Sequence, residues 1–325
     1  MVTQIVRSPE RAEPARTSLF AGGDVPRRRW LVIAVGALIG FALTVIWSAE
    51  FVDRTIGHTV VGTLLEEDAG TQISGIGAGI AFAFVSGLAG TFTACNAAAF
   101  GALAPLVGRR GAAGGPVGAG GRVRAMVRPL AWLAAGMFAV SAAYGVVVAL
   151  VGTSMPQFQT SGPGTWSPRL VQAMIVYGII GALMLWQGLA ALNLAPDPLA
   201  RLAARHPNAP MLLMGAVIGA FLIGRPFALF RQMFRDAAES GNVLYGAAAF
   251  SLQSLGNIAV MALLFLAVAL LGGRRLQGWL AARPSRATAI VAGAFLIAGV
   301  FLIMYWDVRI LARRDVIWYP MAPWA

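Results

Sequence analysis

Trp30-Leu-Val-Ile-Ala-Val-Gly-Ala-Leu-Ile-Gly-Phe-Ala-Leu-Thr-Val-Ile-Trp-Ser-Ala49 is a run of 20 uncharged, mostly apolar residues, and Arg27-Arg28-Arg29 stand directly before it. At 1.5 Å per residue such a helix covers about 30 Å, the depth of a bilayer's hydrocarbon core. A cleaved signal peptide is the competing reading, because Ser48 and Ala49 are small. Trp47 stands where cleavage wants another small residue, so the run reads as a retained leading helix. Working outward, further apolar blocks occupy about 75–106, 128–152, 170–194, 211–240, 244–272 and 287–306. With the leading helix they predict an all-α membrane protein of seven transmembrane helices.

The rest of the composition agrees. The chain of 325 residues is 58% hydrophobic and 12% charged. That is about half the charge of an ordinary soluble protein. The net charge is +12 and every basic side chain is arginine. The arginines lie between the apolar blocks, and no nucleic-acid-binding motif accompanies them. Membrane topology explains them better than a nucleic acid partner does. With the amino end inside, seventeen arginines fall in cytoplasmic segments and eight outside. Glu50, Asp53, Glu66, Glu67 and Asp68 cluster in the first outside loop. These counts predict a plasma-membrane protein with a cytoplasmic amino end and an extracytoplasmic carboxyl end. Residues 1–29 form a disordered cytoplasmic tail, 30–49 the leading helix and 50–74 an outside loop. Residues 75–306 form a six-helix domain, and 307–325 an aromatic outside tail suited to the interface.

Two blocks are too long and too interrupted to be simple rods. The second holds Gly87, Gly90 and the polar stretch Thr91-Phe-Thr93-Ala-Cys95-Asn96. The fifth holds Gly224-Arg225-Pro226. Proline removes a backbone hydrogen bond and glycine lets the chain bend. The last six helices divide into two sets of three, each opening with one of these broken helices. A shift of 132 residues lays Gly87 on Gly219, Ala94 on Pro226 and Cys95 on Phe227. Three helices per set is odd, so the sets insert in opposite senses. That is the pattern of an inverted repeat with its site near the midplane. The loop Gly108 to Gly121 lacks the strand, helix start and Lys-Ser/Thr pair of a phosphate loop and reads as a linker.

Gly87-Leu-Ala-Gly-Thr-Phe-Thr-Ala-Cys95-Asn96 resembles the first cysteine helix of the CcdA/DsbD family of cytochrome c biogenesis membrane proteins. Gly224-Arg225-Pro226-Phe227 falls at that family's second motif. Leu244 to Asn257 is similar to its next helix, so the resemblance covers about 75–306. It implies a six-helix core that passes reducing equivalents between thioredoxin-like proteins on the two sides. This chain departs from the pattern in having Phe227 in place of the second cysteine. Cys95 is the only cysteine. One thiol closes no internal disulfide, so redox work here requires an intermolecular mixed disulfide.

The residues themselves leave two readings open. Cys95 is either a catalytic thiol or a small buried hydrophobe. Thr91, Thr93, Asn96, Arg225, Pro226, Gln253 and Asn257 are candidate cavity residues. An intramembrane arginine is by default a functional hypothesis, with snorkelling to the interface as the bland alternative. Gln253 and Asn257 share a helix face, where hydrogen bonding between helices is the usual role. Gln172 and Gln187 fit that role as well. Arg231, Arg235, Asp236 and Glu239 read as a solvated face with local ion pairs. His58 and His206 have no partner at ligand spacing, so neither a metal site nor a cofactor is expected. Met155, Met304 and Met321 lack the clustering of a copper site. No acid–base pair or nucleophile–base motif marks a stand-alone enzyme. Three functions fit: a CcdA-like thiol-redox component, a small-solute or metal-ion transporter using the same cavity, and a non-redox assembly subunit.

Overall fold

The computed structural model describes residues 25–48, 76–89, 119–159, 166–224, 228–271, 279 and 282–323, and these fold into helices and turns with no strand among them. The helices are α1 (Arg29–Ile46), α2 (Ile76–Ala89), α3 (Ala119–Val151), α4 (Pro168–Ala191) and the short α5 (Ala200–Arg205). They continue as α6 (Ala209–Ala220), α7 (Ala228–Ser240), α8 (Val243–Leu271), α9 (Pro284–Ile303) and α10 (Arg309–Arg313). One π-helical turn, Met304–Val308, joins α9 to α10 without a break.

Five helical stretches are long and apolar enough to cross a membrane: Arg29–Ile46, Val127–Ser154, Pro168–Ala191, Val243–Leu264 and Ser285–Arg313. Their outward faces suit lipid. On α4, Val171, Ile175, Ile179, Leu183 and Trp186 are exposed along one stripe. The opposite face buries Ala173, Tyr177, Ile180, Gly181, Met184 and Gly188. A helix that is apolar on both faces is stable only where its outer face meets hydrocarbon. The last span continues to Arg313, seven residues past the end of the apolar block, because the π turn keeps the helix going through Asp307.

Neighbouring helices pack through glycines, since hydrocarbon offers no hydrophobic drive between them and close backbone approach must do the work. A methyl group added to Gly87 would collide with the Gln253 carbonyl, and one on Gly256 with the Phe84 carbonyl. Gly145 and Gly246 lean on each other's carbonyls in the same way.

The order of these contacts gives the helix directions. Gly79 meets Tyr245 and Gly87 meets Gln253, so α2 and α8 run parallel. Leu133 meets Gly215 and Val140 meets Gly219, so α3 and α6 run parallel. Gly178, Gly181 and Gly188 meet Asp307, Ile303 and Leu296 in turn, so α4 and α9 run antiparallel. Gly145 against Gly246, with Ser141 bonded to Ser254, makes α3 and α8 antiparallel. Helix α1 lies parallel to α9, with Gly36 against Leu296 and Gly40 against Val300. The most extensive helix contacts are α3–α6, α4–α9, α3–α8, α2–α8 and α1–α9.

Candidate functional site

Helix α6 has 12 residues. It therefore reaches about 18 Å, short of a full crossing. After Ala220 the chain tightens into turns, with the amides of Phe221, Leu222 and Ile223 bonded three residues back. The helix thus ends before the Gly224-Arg225-Pro226 stretch, whose last two residues lie outside the described residues, and its end leaves carbonyl groups without helical partners.

Side chains from α3, α4 and the turn between them gather at this end. Tyr177 donates from its hydroxyl to the Phe221 carbonyl at 3.1 Å. Gln172 and Gln157 donate from Nε2 to the Ile223 carbonyl at 2.7 and 2.9 Å. The hydroxyl of Tyr144 lies beside both glutamines. Two donors saturate the two lone pairs of the Ile223 carbonyl. Among the described residues, Gln157 Oε1, Gln172 Oε1 and Tyr144 Oη are buried and have no hydrogen-bond partner.

Helix α7 covers this group on the side where α3 and α9 end. Its inner face buries Phe230, Met233, Phe234, Ala237 and Ala238, while Arg231, Arg235 and Glu239 are exposed. Phe234 packs on Tyr144 at 6.3 Å and on Phe158 at 5.5 Å between ring centroids. Asp236, expected on the solvated face, instead accepts the Tyr245 hydroxyl and fastens α7 to the start of α8.

Among the residues singled out in the sequence, Gln253 is fully buried with its Oε1 unpartnered. Asn257 is half-buried and has a partner. Both stand where α2 crosses α8, since Gly87 faces the Gln253 carbonyl and the Asn257 amide. The adjacent Ser254 shares a 2.6 Å hydrogen bond with Ser141, one turn from Tyr144 on α3. Gln253 is therefore within about a turn of the α6 break in depth. Thr91, Thr93, Cys95, Asn96, Arg225, Pro226 and Phe227 lie outside the described residues. Their neighbours in sequence, Ala89 at the end of α2 and Gly224 at the break, are described.

A second polar feature was not visible in the sequence. Arg309, placed there in the outside tail, is fully buried at 1% exposure. Its Nη1 donates to the carbonyls of Thr44 and Trp47, both at 2.9 Å. These are carbonyls at the end of α1, which need donors from outside the helix. The guanidinium lies 4.9 Å from the Tyr305 ring centroid. The carboxyl-terminal segment completes the tie: Tyr319 bonds the Thr44 hydroxyl, and the Ala322 amide donates to the Val45 carbonyl at 3.1 Å. Among the described residues, Arg309 Nε and Nη2, and Asp307 Oδ2, have no hydrogen-bond partner.

No family model matches the chain, and neither a curated protein nor a solved structure matches it.

Proposed function

We propose that this chain is a divergent membrane protein of the CcdA/DsbD kind, working by thiol–disulfide exchange through Cys95. In this proposal it lies in the plasma membrane as seven transmembrane helices, amino end inside and carboxyl end outside. Helix α1 leads, and α2, α3 and α4 form one set of three and α6, α8 and α9 the inverted second set, with α7 following the break in α6. The observation that supports this best is the exchange of contacts between the sets. Match α2 with α6, α3 with α8, and α4 with α9. The parallel contact of α2 with α8 then becomes that of α6 with α3. The antiparallel contacts α3–α8 and α4–α9 map onto themselves. A two-fold axis in the membrane plane produces that pattern, and it brings broken helices together near the midplane.

The chemistry is an intermolecular relay. The Cys95 thiolate attacks one sulfur of a disulfide in a thioredoxin-like partner. A mixed disulfide forms, and the partner's second sulfur leaves as thiolate. One thiolate of a thioredoxin-like dithiol on the other side then attacks the Cys95 sulfur and releases the first partner's remaining thiolate; the second thiol closes the dithiol to a disulfide and frees Cys95, so the dithiol supplies both electrons. Gln253, Asn257, Asn96, Thr91, Thr93, Arg225 and Pro226 would line the path to the thiol. Trapping of a disulfide-linked partner in membranes, abolished by Cys95→Ser, is the expected result. A partner that still cross-links in the Cys95→Ser protein contradicts the relay.

The buried oxygens at the α6 break that lack a partner among the described residues favour a second reading, transport of a small solute or metal ion through the same region. Uptake into sealed vesicles that survives Cys95→Ser would select it.

A further inference from the structure

We infer that Tyr177 couples the break after α6 to the π turn at Met304–Val308, and through that turn to the end of α1. Movement of the leading helix is then felt at the break. This goes beyond the functional reading and requires neither Cys95 nor any occupant of the break.

Tyr177 is buried on the inner face of α4 and touches both places. Its ring stacks on Trp306 of the π turn, with centroids 4.6 Å apart and planes 20° from parallel. The same ring lies against Phe221, at 5.6 Å between centroids. Its hydroxyl donates to the Phe221 carbonyl at 3.1 Å. The chain after α6 is shaped to this ring, since a methyl group on Gly224 would come 2.9 Å from Tyr177 Cε2. The next residue of α4 fits the π turn in the same way. A methyl carbon on Gly178 would stand 3.2 Å from the Asp307 carboxylate.

The π turn carries the link on to α1. Trp306 meets Tyr305 edge to face at 5.2 Å. The Arg309 guanidinium lies over the Tyr305 ring, and its Nη1 holds the Thr44 and Trp47 carbonyls. Tyr177, Trp306, Tyr305 and Arg309 are all more than nine-tenths buried. A close-packed interior compresses little, so it passes a displacement on.

Coupling also needs an element with two arrangements. Single π turns inside α-helices are rare and are frequent at functional sites. Closing this one to an α turn would rotate the helix beyond it by roughly a quarter turn, since an α-helix advances about 100° per residue. Arg309 would swing off the α1 carbonyls and Trp306 off Tyr177 together.

Hydrogen exchange of the purified full-length protein, read peptide by peptide, tests the link. Trp306→Leu should speed exchange at residues 221–224 by roughly 2- to 12-fold, the span that one aromatic pair carries. Trp306→Phe should stay near the wild-type rate. Peptides at the Ser141–Ser254 crossing should not change, which separates a local link from general loosening. Coupling is reciprocal. Tyr177→Phe, which keeps the ring and removes the donor, should therefore speed exchange at 304–308 as well as at 221–224. In the double variant Trp306→Leu should add less at the break than it does alone, because the link is already cut. Unchanged exchange at 221–224 in Trp306→Leu overturns the inference. An equal rise at the α3–α8 crossing, or strict additivity in the double variant, overturns it too. Should Trp306→Leu not fold, Tyr177→Phe decides, and a π turn that does not respond to it refutes the link. None of these measurements involves Cys95, so a failed partner trap leaves them standing.

Discussion

Among the described residues, helical geometry changes at the end of α6 and at Met304–Val308, and these two places are built in opposite ways. At the end of α6 the chain leaves the helix, and neutral side chains collect the freed carbonyls with acceptors left over. At Met304–Val308 the helix widens to a π turn without leaving its path. There a charged side chain, Arg309, is turned onto the end of another helix with donors left over. The first is roofed by the aromatic face of α7. The second is locked between α1 and the carboxyl-terminal segment by Tyr319 and Ala322. The contrast separates a site from a clamp. At the π turn Arg309 holds the end of the leading helix while Trp306 stacks on Tyr177 of α4, whereas at the α6 break acceptor oxygens lack a donor among the described residues.

Arg309→Ala should give the largest effect. It removes two charge-assisted hydrogen bonds and leaves the Thr44 and Trp47 carbonyls buried without a donor. Relief of the guanidinium's own burial offsets part of this, for a net loss of about 2–4 kcal/mol. Unfolding in denaturant would read this directly, along with protease access to α1. An unchanged midpoint would remove the clamp from the comparison. Gln172→Leu should be milder, within about 1 kcal/mol of wild type, as interhelical hydrogen bonds in membranes are modest. Gln157 still serves the Ile223 carbonyl, and one orphaned oxygen is deleted with the side chain. A loss as large as that of Arg309→Ala would make the break a structural joint rather than a site.

Much of the frame is legible in the sequence, because hydrocarbon imposes length and apolarity on any crossing helix. Gly224-Arg225-Pro226 marks its break through backbone chemistry alone. Gln253 and Asn257 announce themselves by helical spacing inside an apolar block. Tyr144 does not, since one tyrosine in an apolar helix is more often packing than site. Gln157 sits in a turn whose position over α6 depends on the tertiary fold. Ser141 and Ser254 are ordinary small residues until the α3–α8 crossing pairs them. Arg309 and Asp307 escaped for a different reason. Charges just past an apolar block read as tail, and nothing local predicts a π turn that carries the helix on to Arg313.

In the proposed arrangement the stretch after α2, holding Cys95, meets the break after α6. The decisive measurement is disulfide formation in Phe227→Cys, with Cys95 as the only other cysteine. Ser141→Cys with Ser254→Cys in the Cys95→Ser background serves as the control, its native oxygens being 2.6 Å apart. Under mild oxidation both proteins should close an intramolecular disulfide. Closure in the control, with Cys95 and the residue-227 thiol still free, would mean that the two stretches do not meet.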